Sequence, residues 1–114
     1  MRTRPLIPVG AAVLAATLLA AGCSTARKST PVATTQVTMA KSYRFDPNTI
    51  KIKAGQTVTW TNDDNFTHTV KFDGQDDHKV GRGDSVSIKF DKRGTFHYVC
   101  SLHSNDMHGT VIVE

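Results

Sequence analysis

From residue 37 onward this chain alternates apolar and polar residues with a period of two, and few folds accept that rhythm. Ile50 and Ile52 sit between Thr49, Lys51 and Lys53, and Val58 and Trp60 alternate with Thr57, Thr59 and Thr61. Val70 and Phe72 alternate with Thr69, Lys71 and Asp73, and Val86, Ile88 and Phe90 with Ser85, Ser87 and Lys89. Phe96, Tyr98 and Cys100 then share one face, and Val111 and Val113 close the chain. Successive side chains of a strand point to opposite faces, so these segments read as half-buried strands. Turn residues such as Ala54-Gly55 and Asp91-Lys-Arg-Gly94 separate them, the pattern of a sandwich or barrel of short strands. No segment has a helical period. The expected class is all-β.

The N-terminus has a different character. Arg2 and Arg4 precede an apolar run over about 6–21, and small residues lead to Cys23. That is the layout of an export signal, and the run is shorter than the ~20 apolar residues a membrane span needs. Its ending, Leu19-Ala-Ala-Gly-Cys23, resembles a bacterial lipoprotein box, with Ala20 where Leu is more usual. The resemblance implies a signal peptide over 1–22, cleaved to leave a lipidated Cys23. Residues 23–36 are small and polar without an apolar period, and read as a flexible tether. The folded domain is expected over 37–114, small enough that a metal or a disulfide often helps stability.

No disulfide is available within such a domain. The chain has 2 Cys, and lipid on Cys23 leaves Cys100 as the last thiol. A lone Cys in an exported protein implies intermolecular pairing, a reactive thiol or a metal ligand. Its surroundings favour the ligand. Tyr98-Val-Cys100-Ser-Leu-His103-Ser-Asn-Asp-Met107-His-Gly109 places a thiolate, an imidazole and a thioether together between two strand segments, 95–99 and 109–113. A further imidazole, His68, stands upstream in phase with Val70 and Phe72. Two His, one Cys and a weak Met suit copper, whereas calcium and magnesium prefer oxygen and zinc seldom takes a thioether. By phase, Cys100 points inward at the end of its strand and His68 inward at the start of its own. Antiparallel neighbours would bring the two to one pole of the fold.

Cys100-x-x-His103-x-x-x-Met107 with a distant upstream His resembles the copper site of the cupredoxins, nearest to the small plastocyanin, pseudoazurin and amicyanin types. The likeness extends over Phe45-Asp-Pro47, Ala54-Gly55-Gln-Thr-Val-Thr-Trp60-Thr-Asn62, His68-Thr-Val, Gly94-Thr-Phe-His-Tyr-Val-Cys100 and Met107-His-Gly109-Thr-Val-Ile-Val113. It implies a small Greek-key β-sandwich holding one copper ion. His68, Cys100 and His103 would be its strong ligands and Met107 its weak axial one, with His108 the alternative axial donor. It also makes the edge of His103 the electron port, rimmed by Phe66, Leu102 and Met107. Two departures bear on the loop: three residues separate His103 from Met107, against four or two in the relatives, and Leu102 stands where many have Pro.

Other functions find less support. Taking the two signal arginines from the 14 basic residues leaves 12 against 10 acidic ones, too mild and dispersed for nucleic acid. No nucleophile–base pair with an orienting third group stands out, so no enzyme is expected. His78, in Gln75-Asp-Asp-His-Lys79, and His97 read as surface residues, and Asp63-Asp64 as a solvated turn. The expected function is one-electron transfer by a mononuclear type 1 (blue) copper site. The expected carrier is a monomer, lipid-anchored on the outer, periplasmic side of the cell membrane and meeting transient redox partners in the envelope. Copper sequestration or delivery with the same ligands is the alternative, although no Met-rich or His-rich tract supports it.

Overall fold

The computed structural model describes Thr3 and residues 30–114; the stretch expected to be an export signal, apart from Thr3, and Cys23 lie outside the described residues. Among the described residues ten strands follow in order: β1 (Val32–Ala33), β2 (Gln36–Ala40), β3 (Arg44–Asp46), β4 (Thr49–Ile52), β5 (Thr57–Asn62), β6 (His68–Phe72), β7 (His78–Val80), β8 (Ser85–Lys89), β9 (Gly94–Val99) and β10 (His108–Val113). They form a six-stranded sheet, β1-β4-β10-β9-β6-β7, and a four-stranded sheet, β3-β2-β5-β8. The fold is the β-sandwich that the alternation predicts. Among the described residues helix is confined to one 3-10 turn over Ser101–His103.

Two boundaries differ from the expectation. Val32 and Ala33 pair in parallel with Ile50 and Lys51, and Gln36 already belongs to β2, so the ordered chain begins before residue 37. Backbone pairing with β4 supplies what the apolar pattern lacks there. His78 opens β7 opposite Val70 and is half-buried, not part of a solvated loop. Three of the four outer strands, β1, β3 and β7, are two or three residues long, which limits the unpaired backbone exposed there, while the fourth, β8, has five residues.

The inward faces meet in an aromatic core. Trp60 of β5 packs edge-on against Tyr98 of β9 at 5.4 Å and Phe72 of β6 at 6.1 Å between ring centroids. Phe45 closes on Tyr98 at 4.6 Å, and Phe90 on Phe72 at 5.6 Å. Burying each such side chain contributes roughly 1.5–3 kcal/mol. Burial also pushes the Tyr98 phenol's pKa well above its ordinary value of 10.0, so the ring stays neutral. Tyr98 pairs across the ladder with Gly109 and its ring lies over that residue, where a Cβ would fall on ring atoms. Glycine is required there for space. Gly109→Ala is therefore expected to destabilise the fold by about 1–3 kcal/mol through overpacking, read as a lower urea midpoint at unchanged slope.

Candidate metal centre

β6 and β9 run antiparallel with Lys71 opposite Val99 and Phe72 opposite Tyr98. Continuing that register sets the start of β6 beside the residues just past β9. His68 and Cys100 are both fully buried there, with Cys100 Sγ 3.7 Å from His68 Nδ1. His68 Nε2 lies 2.9 Å from Asp64 Oδ2. An ionised carboxylate only accepts, so it holds the imidazole proton on Nε2 and leaves the Nδ1 lone pair facing the sulfur. Histidine ligands to metals are held by this kind of outer hydrogen bond. The backbone N–H of Thr69 donates to Cys100 Sγ at 3.3 Å.

Asp64 corrects the reading of Asp63-Asp64 as a solvated turn. It is 4% exposed, and its hydrogen bond to His68 holds its carboxyl below the ordinary 3.8. Asn62, also buried, shapes the loop that carries it. Asn62 Oδ1 accepts from Asp64 N–H, while Nδ2 donates to the carbonyls of Phe66 and Val80. The signal available in sequence was the four-residue spacing from Asp64 to His68, which has meaning only once the intervening loop folds back.

The second part of the centre is the loop after β9. Its backbone closes on itself: Cys100 N–H donates to Met107 O at 3.1 Å, and His103 N–H to Cys100 O at 3.0 Å. His103 O accepts from both Asp106 N–H at 3.0 Å and Met107 N–H at 2.9 Å. These bonds close the loop over the three-residue spacing between His103 and Met107. Among residues 107–113, the odd-numbered ones face inward, so Met107 is fully buried and His108 is exposed opposite Val99. Met107 consequently adds no surface to the rim expected around His103. Phe66 and Leu102, each 54% exposed, do.

His103 is half-buried, its ring 5.3 Å from that of His68 and 4.3 Å from that of Tyr43. Sequence reasoning overlooked Tyr43. It ends the three-residue turn between β2 and β3, and its ring also meets Phe66 at 5.6 Å and His68 at 5.9 Å. Ser42 and Tyr43 both hold positive φ, 72° and 55°. Non-glycine residues held there cost of order 1–3 kcal/mol each and gather at functional sites. No local pattern announces such a turn.

Among the described residues no group of three or more His, Cys, Asp or Glu side chains is arranged to hold a metal ion. The side chains at this pole are the Cys100 thiol, the His68 and His103 imidazoles and the buried Met107 thioether, whose backbone carbonyl accepts from Cys100 N–H. That chemistry fits copper, because thiolate and thioether are soft and imidazole is borderline. His78 and His97 stand apart; His97 Nδ1 lies 2.9 Å from Thr110 Oγ1 on the outer face.

A two-layer β-sandwich with soft donors at one pole defines a class of small metal-binding domains. The chain belongs to the cupredoxin-like domain family, which matches residues 10–113; members of that family transfer electrons through a copper site. It is 37% identical over 84 residues to a plastocyanin of Scenedesmus fuscus, covering 61% of this chain and 86% of that protein. It is 36% identical over 121 aligned positions to amicyanin-alpha of Methylorubrum extorquens, covering 100% of each. The fold superposes on a purple cupredoxin from Nitrosopumilus maritimus with a TM-score of 0.63 at 26% identity, covering 69% of this chain and 98% of that one.

The Asp64–His68 pair makes stability depend on pH. A carboxyl depressed in the folded state stabilises fully above its unfolded pKa, and that stabilisation is lost as pH falls through the lower folded value. Asp64→Asn, which cannot ionise, is expected to flatten the acid limb of the stability curve, measured by urea unfolding of metal-free protein from about pH 6 to about pH 3. An acid limb as steep as that of the unsubstituted protein would show that other carboxylates govern it.

Proposed function

We propose that this chain is a one-electron carrier whose mononuclear type 1 copper site is built from His68, Cys100, His103 and Met107. The observation that carries the reading is the buried pair: Cys100 Sγ 3.7 Å from His68 Nδ1, with the other ring nitrogen tied to Asp64. Burial of Met107 and exposure of His108 support the thioether as the axial donor. A bound copper ion supplies the Cu(II)/Cu(I) couple. The protein's part is to hold the donors still. Asp64 fixes the orientation of His68, Thr69 N–H faces the thiolate sulfur, and the closed backbone of the loop holds His103 and Met107 in place.

The half-exposed His103 is the port through which electrons enter and leave. Tyr43 packs against its ring, and the exposed side chains of Phe66 and Leu102 form an apolar rim for brief docking. Redox encounters use small interfaces, so a patch of this size is sufficient. The domain acts as a monomer and not as an enzyme. Export, cleavage before Cys23 and lipidation of that residue would hold it at the outer face of the cell membrane, within reach of envelope redox partners.

Adding Cu(II) to the mature domain is expected to give an intense blue thiolate-to-copper band and narrow copper hyperfine splitting in EPR. Cys100→Ser should abolish both. Met107→Ala should change the spectrum and His108→Ala leave it unchanged; the reverse would make His108 axial. Absence of the band, with Cys100 freely alkylated in the presence of copper, would sink the copper reading. Slow, irreversible cycling with ready loss of the metal would favour copper delivery over electron transfer.

The port generates a separate test. Leu102→Ala and Phe66→Ala are expected to slow electron exchange with a small redox protein several-fold while the blue band persists, since neither side chain is a donor. Unchanged exchange rates in both variants would place the docking surface elsewhere.

A further inference from the structure

Beside the donors runs a chain of hydrogen bonds ending on a carboxylate that belongs to no ligand set. Asp77, on the connection between β6 and β7, has Oδ2 2.5 Å from Ser101 Oγ. Ser101 Oγ is 2.9 Å from Thr69 Oγ1, and Ser101 N–H donates to Thr69 Oγ1 at 2.7 Å. The backbone N–H of Thr69 donates to Cys100 Sγ at 3.3 Å.

The directions of these bonds follow from their end. A carboxylate only accepts, so the Ser101 hydroxyl proton goes to Asp77. Ser101 Oγ then has no proton for Thr69, and the Thr69 hydroxyl donates to it. That leaves a lone pair on Thr69 Oγ1 for the Ser101 N–H. One exposed acceptor thereby orders three donors reaching inward to Thr69, which is fully buried. The relay also ties the residue after Cys100 to the residue after His68, across 32 positions of sequence.

We propose that Asp77 is a positioning residue for the Cys100 thiolate. Through Ser101 and Thr69 it holds the Thr69 N–H against the sulfur, and it thereby sets the reduction potential of a metal bound there. The inference rests on the copper reading for its redox consequence alone; the hydrogen-bond relay stands without it. Hydrogen bonding around the Cys sulfur is one of the levers that tune such potentials. A sulfur that loses its N–H donor is more electron-rich and favours the oxidised ion, which lowers the potential. The relay also restrains the start of the loop, where Leu102 replaces the more rigid Pro.

The test compares Asp77→Ala, which removes the acceptor, with Asp77→Asn, which keeps a carbonyl acceptor but removes the charge. Two quantities are read on the full chain: hydrogen exchange of the Thr69 amide by NMR in metal-free protein, and the midpoint potential after copper loading. Asp77→Ala is expected to speed exchange at Thr69 by about tenfold, a local opening made easier. It should also raise the oxidised-to-reduced ratio at fixed applied potential by about threefold, or roughly 28 mV at 59 mV per tenfold for one electron. Asp77→Asn should leave both near their unsubstituted values. If Asp77→Ala moves neither quantity, the proposal fails. It also fails if Asp77→Asn shifts the potential as far as Asp77→Ala does and added salt erases the shift, since the lost charge would then act through space. Absence of copper binding by the unsubstituted chain would overturn the redox claim and the copper reading, while the metal-free amide measurement would still decide the relay.

Discussion

The antiparallel pairing of β6 with β9 is the constraint on which the rest of the centre depends. With Phe72 opposite Tyr98 and Lys71 opposite Val99, the start of one strand lies beside the end of the other. His68 and Cys100, 32 positions apart, therefore meet in the interior with no freedom to choose another depth. A slip of one residue would turn one of the two outward, because side chains alternate faces. The aromatic contacts of Trp60, Phe72 and Tyr98 hold that register, since all three would lose their packing together. The hydrophobic core and the donor pair are thus fixed by the same interaction.

Around that pair the polar groups are satisfied in layers. Asp64 holds His68, Asn62 holds the loop that carries Asp64, and Thr69 with Ser101 links the two donor-bearing segments. A buried polar group left without a partner costs about 1–3 kcal/mol, so each layer needs the next. The result is a pole in which hydrogen bonds fix His68 and tie the two donor-bearing segments together. Restraint of that kind suits a carrier, whose donors should keep their places when charge changes.

The surface over the same pole is built differently. Phe66 and Leu102 are exposed, and Tyr43 is held against Phe66 and His103 by a turn with two strained residues. That turn belongs to the four-stranded sheet, whereas His68 and the donor loop belong to the other. Both layers of the sandwich therefore contribute to the surface around His103. Strain at Ser42 and Tyr43 persists because the packing on either side over-determines the turn.

What the sequence determined by itself was whatever depends on local phase and chemistry. Period-two alternation gave the strands and the class. The types and inward phase of His68 and Cys100 named the donor pair, while Met107 and His108 stayed open as alternatives until the fold buried the one and exposed the other. Only the tertiary structure decided Asp64, Tyr43 and the Thr69–Ser101–Asp77 relay. Each acts from a loop or turn, where no period constrains the backbone and the side chain's environment comes from segments remote in sequence. Asp64 reads as solvated until Asn62 folds its loop over the buried His68, and Tyr43 reads as a turn residue until the second sheet brings it onto His103. Strand phase is a property of neighbours in the chain, but burial in a loop is a property of what packs against it.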